Sequence, residues 1–260
     1  MMQFHLVTQP SRERFLHYHN ALRRAQVPPS AHTYKLLLDA FGGLSPVDFP
    51  AMERVFAELC EDRKVGISGT HWASIITAYG IYGNDVAKAI QVFDSIPSHP
   101  TTRNPTLAYD AILWEAILNV ISNRGTLEEL QLMRQRMVES GAHPTAYVNN
   151  ILISGYARAG QIKTARDVFE SMGDSVTGVA APNNHPTLLT SSGHVKPATV
   201  TEQPTDMVYR EPSTYEAMIA AEIRAGNEAA AEAVCARMEE RRYPLAVYMR
   251  ARAMLDEPVS

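Results

Sequence analysis

The block at residues 146–172, AYVNNILISGYARAGQIKTARDVFESM, recurs along the chain at a spacing of about 35 residues. Self-similarity at that period restricts the fold to a stack of small supersecondary units. Such a unit is too small to bury its own apolar face, so the core is spread along the stack and function belongs to a repeated surface. Within the block, Gly160 separates two amphipathic stretches. The first carries Val148, Ile151, Leu152 and Tyr156, and the second Ile162, Ala165, Val168, Phe169 and Met172. Both spacings are helical. Gly160 is the expected stop of the first helix, because glycine reaches positive φ at little steric cost. The unit is a helical hairpin.

Aligning the hinge glycine extends the frame to five units. In the preceding unit Gly125 is the hinge, Trp114, Ile117, Leu118 and Ile121 line the first helix, and Leu127, Leu130, Met133 and Met137 line the second. That unit, residues 111–145, ends in a turn, SGAHPT, and spans one period. Upstream, Trp72, Ile75, Ile76 and Tyr79 lead to Gly83, followed by Val86, Ala89, Val92 and Phe93. Tyr34, Leu37, Leu38 and Phe41 open a unit with a longer hinge, residues 42–50, before Met52, Val55, Phe56 and Leu59. Tyr215, Met218, Ile219 and Ile223 lead to Gly226, then to Ala230, Ala233, Val234 and Met238.

These residues resemble the pentatricopeptide repeat family, of the fungal and organellar type. Its pattern has an aromatic opening the first helix, a small-residue pair and glycine hinge, a Phe and Met in the second helix, and a proline-containing exit. ILISGYARAG and ARDVFESM carry the closest match. The 34-residue tetratricopeptide repeat wants a glycine and a small residue where this chain has Ile153 and Met172. The fold expected is therefore all-α, a right-handed solenoid of helix-turn-helix repeats.

The expected plan is a partial repeat at 1–30 (second helix only), helical repeats at 31–173, a disordered insert at 174–210, a further repeat at 211–245, and a capping helix with tail at 246–260. Phe15, Leu16, His19 and Leu22 read as a second helix lacking a first one before it, which makes the chain read as the C-terminal portion of a longer protein. The insert is rich in Thr, Ser, Pro, Asn and Gly, a composition that cannot bury enough apolar surface to offset ordering. Apolar residues make up 45% of the chain, enough for a core distributed along a solenoid. Cys60 and Cys235 lie in separate second helices, a pattern that suits a reducing compartment. No apolar run reaches the ~18 residues of a membrane span.

The resemblance implies binding of single-stranded RNA in mitochondria, in transcript stability, processing or translation. Each hairpin would present its first helix to one base. The family's readers are the residue after the opening aromatic position and the last residue of the repeat. Carried over, the first places are Lys35, Ala73, Glu115, Asn150 and Glu216, and the last places are Ser68, Asp110 and Thr145. Asn150 alone carries a family residue in the first place. Its amide donates to and accepts from a base edge. Ala73 has no hydrogen-bonding group, and Glu115 and Glu216 need an exocyclic amine as partner. Arg158, Lys163 and Arg166 cluster about the strongest hinge as candidates for the RNA backbone.

A net charge of −4 and a pI near 6.1 lack the broad basic footprint of many nucleic-acid binders. The alternative reading is a protein-interaction scaffold whose concave surface docks a partner such as the mitochondrial ribosome or a translation factor. An apolar or acidic first-helix groove favours the scaffold, and a basic one favours RNA. The chain lacks the His-x-Glu and Cys-x-x-Cys pattern of zinc deaminases, the phosphate loop and His-Glu-x-x-His. His17 and His19 fall on different helix faces. No enzyme, metal or cofactor is expected.

Overall fold

Short polar residues open the helices and hold the repeat in register. The computed structural model describes residues 1–100, 110–174 and 207–256, and twelve α-helices lie among them. They are α1 Arg12–Arg24, α2 Ala31–Gly43, α3 Phe49–Glu61, α4 Gly69–Thr77, α5 Val86–Ser95, α6 Ala111–Arg124, α7 Leu127–Glu139, α8 Ala146–Arg158, α9 Ile162–Glu170, α10 Pro212–Arg224, α11 Glu228–Glu240 and α12 Leu245–Asp256. Ser30 Oγ accepts the Thr33 N–H at 3.2 Å, Asp48 the Ala51 N–H at 2.9 Å, Asp85 the Lys88 N–H at 2.8 Å and Thr145 Oγ1 the Val148 N–H at 3.1 Å. Each bond satisfies a donor that the first turn leaves without a partner. Thr126 and Glu129 form a reciprocal capping box at the start of α7.

The chain divides into two compact units, Met1–Gly125 and Thr126–Ser260. In the first, α2, α4 and α6 pack side by side as one layer, while α3 packs on α2 and α5 on α4 and α6. Leu38, Ile76, Leu113, Ile117 and Leu118 are fully buried in that layer, met by Met52, Leu59, Ala89 and Phe93 from the second helices. In the second unit, α8 packs on α10 and α10 on α12, with α9 and α11 as second helices. Tyr156, Phe169 and Tyr215 are among its largest fully buried side chains. α12 thus takes the place of a first helix, with Ala251 buried.

The hinges differ more than the aligned glycines imply. Gly160 has φ +73°, with the Gln161 N–H on the Tyr156 carbonyl at 2.8 Å and its own N–H on that of Ala157 at 3.0 Å, the paired bonds of a Schellman stop. Gly83 and Gly125 do not use positive φ; at the former hinge the left-handed residue is Asn84, at φ 52°. The long hinge is also shorter than its glycines mark it. Gly42 and Gly43 remain inside α2, and the connection starts at Leu44. Gly42 is there for space, since a Cβ would lie 2.5 Å from that of Ala78 on the neighbouring first helix. Immediately after Thr77 the helix widens into a π-helical turn, Ala78–Tyr82, whose Gly80 lies against the Val120 side chain.

Two further expectations are refined. A short π-helical turn, Phe4–Thr8, precedes α1 and packs on it and on α2. In α11 the buried alanine is Ala231, while Ala233 is exposed. The centre of the insert, residues 175–206, lies outside the described residues, but its flanks are joined. Gly173 and Tyr209 form a parallel bridge, and Arg210 is buried. Its Nε donates to the Phe169 carbonyl at 2.9 Å and its Nη1 to Asp174 at 2.9 Å, with the guanidinium 4.5 Å from the Phe169 ring centre. Among the described residues, no helix is long and apolar enough to cross a membrane.

Candidate nucleic-acid interface

The sequence-level readers fall into two structural classes. Ser68, Asp110 and Thr145, the last-residue places, immediately precede α4, α6 and α8 and serve as their caps. Asp110 Oδ1 accepts the Ile112 N–H at 3.0 Å. Ser68 Oγ lies 2.9 Å from His71 Nδ1. Their side-chain oxygens are therefore already used by the first turn.

The first-place readers lie on the first helices. In the Met1–Gly125 unit, Lys35 on α2 and Ala73 on α4 line one groove of about 450 Å³. The Lys35 ammonium is bonded to Asp39 one turn along, so the two charges neutralise each other. Glu115 stands half-buried on α6. In the Thr126–Ser260 unit, Asn150 on α8 is buried, and its Nδ2 donates to Ser213 Oγ at 3.0 Å. Its Oδ1 is buried with no hydrogen-bond partner among the described residues. An amide oxygen in that state costs about 1–3 kcal/mol until a donor reaches it. Glu216 on α10 accepts from Arg250 of α12 at 2.7 Å.

The basic cluster is not a uniform patch. Arg158 and Lys163 are exposed. Arg166 instead makes two parallel bonds to Glu222 of α10, at 2.6 and 2.8 Å. Glu222 is 1% exposed and also accepts from Asn227 Nδ2 at 3.1 Å. That bidentate fork holds a carboxylate that burial would otherwise penalise. Arg166 joins α9 to α10, a role that sequence alone did not assign to it. Its partner is 56 residues away, so no local pattern announced the pair.

A second network, built around the buried Arg210 and Tyr215, closes the base of the insert. Asp174 accepts from Tyr215 Oη at 2.8 Å and from Arg210, while Glu170 accepts from Arg210 at 3.1 Å and from Arg237 at 2.6 Å. Burial alone would raise the Asp174 carboxyl, but the Tyr215 hydroxyl and Arg210 outweigh it and hold it below its ordinary value. Burial, reinforced by Asp174, raises the Tyr215 phenol. The same pattern recurs in the other unit, where burial and the bond to Asp62 push Tyr34 up to about 12. These tyrosines are structural donors.

Charge separates the two units. Residues 1–125 contain eleven Lys and Arg and eleven Asp and Glu, whereas residues 126–260 contain thirteen and seventeen. The acidic excess of the chain lies wholly in the unit that holds Asn150.

The comparisons with known proteins agree with this geometry. Residues 150–175 match the model of the PPR repeat. The chain is similar to the pentatricopeptide repeat-containing protein 5, mitochondrial, of Schizosaccharomyces pombe, with 30% identity over 98% of this chain. It spans only 18% of that relative's length. Among solved structures it is similar to the pentatricopeptide repeat protein PPR10 from maize, with a TM-score of 0.51 and 14% identity over 96% of this chain and 30% of the other. The same protein in complex with an 18-nt psaJ RNA element gives a TM-score of 0.51 and 16% identity over 90% of this chain and 34% of the other. At that identity the likeness concerns the fold, and it is the all-α helical-repeat fold. With the matched block at its centre and the relative aligned along nearly all its length, the chain is built of pentatricopeptide repeats.

Proposed function

We propose that this chain binds single-stranded RNA along its first helices, in mitochondria, and acts on transcript stability, processing or translation without catalysing a reaction. The observation that carries this reading is Asn150: a buried amide whose donor is held by Ser213 and whose carbonyl oxygen lacks a donor. A base edge with an N–H or exocyclic amine supplies that missing donor once a side-chain rotation brings Oδ1, closed to solvent in the free chain, to the surface. The maize relative's complex with RNA and the mitochondrial name of the fission yeast relative support the ligand class and the compartment. Exposed Arg158 and Lys163 stand near the same hinge to meet phosphates. In an acidic unit the affinity is modest and falls strongly with salt, with a log–log slope of about −0.7 for each phosphate contact.

The test is binding of the purified chain to a random single-stranded RNA pool across a salt series, with double-stranded DNA as control. Saturable, RNA-selective binding is expected. Asn150→Ala should weaken it about fivefold, the worth of one hydrogen bond of about 1 kcal/mol, and alter the bases selected. Equal binding to both nucleic acids, or a selected sequence that Asn150→Ala leaves unchanged, refutes the reading.

A further inference from the structure

Ser213, which accepts the bond from the Asn150 amide, is exposed on the first turn of α10. Helix ends fray, so a hydroxyl placed there is a firm partner only if something else fixes the turn. One carboxylate fixes it from both sides. Before Ser213, Arg210 donates from Nη1 to Asp174 Oδ2 at 2.9 Å, and after it, Tyr215 donates from Oη to Asp174 Oδ1 at 2.8 Å. Asp174 follows α9 in the chain, so its two oxygens tie the entry of α10 to the end of the preceding helix.

The stretch from Arg210 to Ser213 has little slack. It holds Glu211, whose backbone N–H donates to Thr214 Oγ1 at 3.1 Å, and Pro212, whose ring fixes φ. Arg210 is buried and anchored along its whole length. Its backbone N–H donates to the Gly173 carbonyl at 2.8 Å, its Nε to the Phe169 carbonyl at 2.9 Å and its Nη2 to Glu170 at 3.1 Å. A planar fork met on each edge by groups at the end of one helix has a single place to sit. On the other side Tyr215 is fully buried, edge-on to the Phe169 ring at 5.5 Å. A Ser213 held in this way keeps the Nδ2 end of Asn150 engaged and leaves the oxygen for a base. A Ser213 that drifts frees both ends, and a free amide donates and accepts alike. Granted that Asn150 reads a base, we propose that Arg210 and Tyr215, braced by Asp174, are positioning residues for it: they hold Ser213 within reach of the amide and so set the base preference at that place.

The test is selection by the full chain from the random single-stranded RNA pool, read as the preference at the nucleotide whose identity Asn150→Ala alters. Tyr215→Phe keeps the ring and removes its bond to Asp174, while Arg210→Gln removes the fork. Each should lower that preference about fivefold, no more than the loss of one hydrogen bond, and leave the other nucleotides as in the wild type. Arg237→Gln is the control. It gives up the bonds to Glu170 at 2.6 and 3.3 Å but touches neither side of the Asp174 brace, so it loosens the unit without moving the preference. Circular dichroism checks the fold of each variant, and Tyr215→Phe, the milder change, decides the matter if Arg210→Gln does not fold. A preference that Tyr215→Phe leaves intact, or that Arg237→Gln lowers equally, overturns the proposal while the RNA reading stands. A wild-type chain that selects no RNA removes that reading and this proposal together.

Discussion

The Arg166–Glu222 pair allows a sharp test of whether the basic cluster near Gly160 is structural or ligand-facing. Glu222 is 2% exposed and Arg166 is 45% exposed at the side chain, so the two halves are not equivalent. Arg166→Ala strands a buried carboxylate with Asn227 as its remaining side-chain partner. Breaking a fully buried pair costs about 3–5 kcal/mol; with half of the arginine in water, screening reduces this to about 2 kcal/mol. Glu222→Gln keeps the shape, removes the charge and lets the guanidinium swing to solvent, at a cost of about 1 kcal/mol. Arg166→Ala should therefore be the worse variant, although it removes the more exposed group.

Both tryptophans, Trp72 and Trp114, belong to the other unit, so their fluorescence does not monitor this site. Hydrogen exchange of α9 and α10 amides followed by mass spectrometry does. A loss of 2 kcal/mol raises the opening equilibrium about thirtyfold. In RNA titrations the salt slope should stay as in the wild type, because the side chain is already committed to Glu222. Exchange that is faster in Glu222→Gln than in Arg166→Ala, or a salt slope that falls by about 0.7 in Arg166→Ala, would sink this reasoning.

Gly80→Ala should destabilise the first unit by about 1–3 kcal/mol, because the new methyl overlaps the Val120 side chain. Gly66→Ala, with nothing within 4 Å of its added Cβ, should stay within about 0.5 kcal/mol of the wild type. Urea midpoints from tryptophan emission distinguish the two. His71 makes the same unit sensitive to acid. Its Nδ1 accepts the Ser68 N–H at 3.0 Å and its Nε2 bonds the Ala31 carbonyl at 2.8 Å, so the neutral ring fits. Burial holds its pKa below the ordinary 6.5. The unfolded chain then takes up a proton that the folded one refuses, so stability is complete above about pH 6.5 and declines as pH falls below it. His19, lowered mainly by burial, adds the same sign. His71→Asn should flatten the urea midpoint's pH dependence between pH 7 and 5 to the residue left by His19; an unchanged profile counts against the assignment.

Much of the hairpin pattern is written in local sequence. The Gly160 stop follows from its position between two apolar stripes, and φ +73° there is what a left-handed helix end requires. Val148, Ile151, Leu152 and Tyr156 are all buried as their spacing requires. Gly42 shows where this reading fails. A glycine after an amphipathic run looks like a hinge, yet this one lies inside α2, and Ala78 passes too close to it for any side chain. The candidate site divides in the same way. Register places Lys35, Ala73, Asn150 and Glu216 on first helices, but register does not show that Asp39, Ser213 and Arg250 engage three of them.

The sequence by itself determined the period, the helical class and the residues that open and close the helices, because those depend on side chains within one or two turns of each other. Tertiary structure alone decided which charges are available to a ligand. Arg166 meets Glu222 across 56 residues, and Arg210 is buried beside Phe169 across 41. Burial makes an isolated charge costly, so a partner brought close by packing claims it, and that closeness exists only once the helices are stacked.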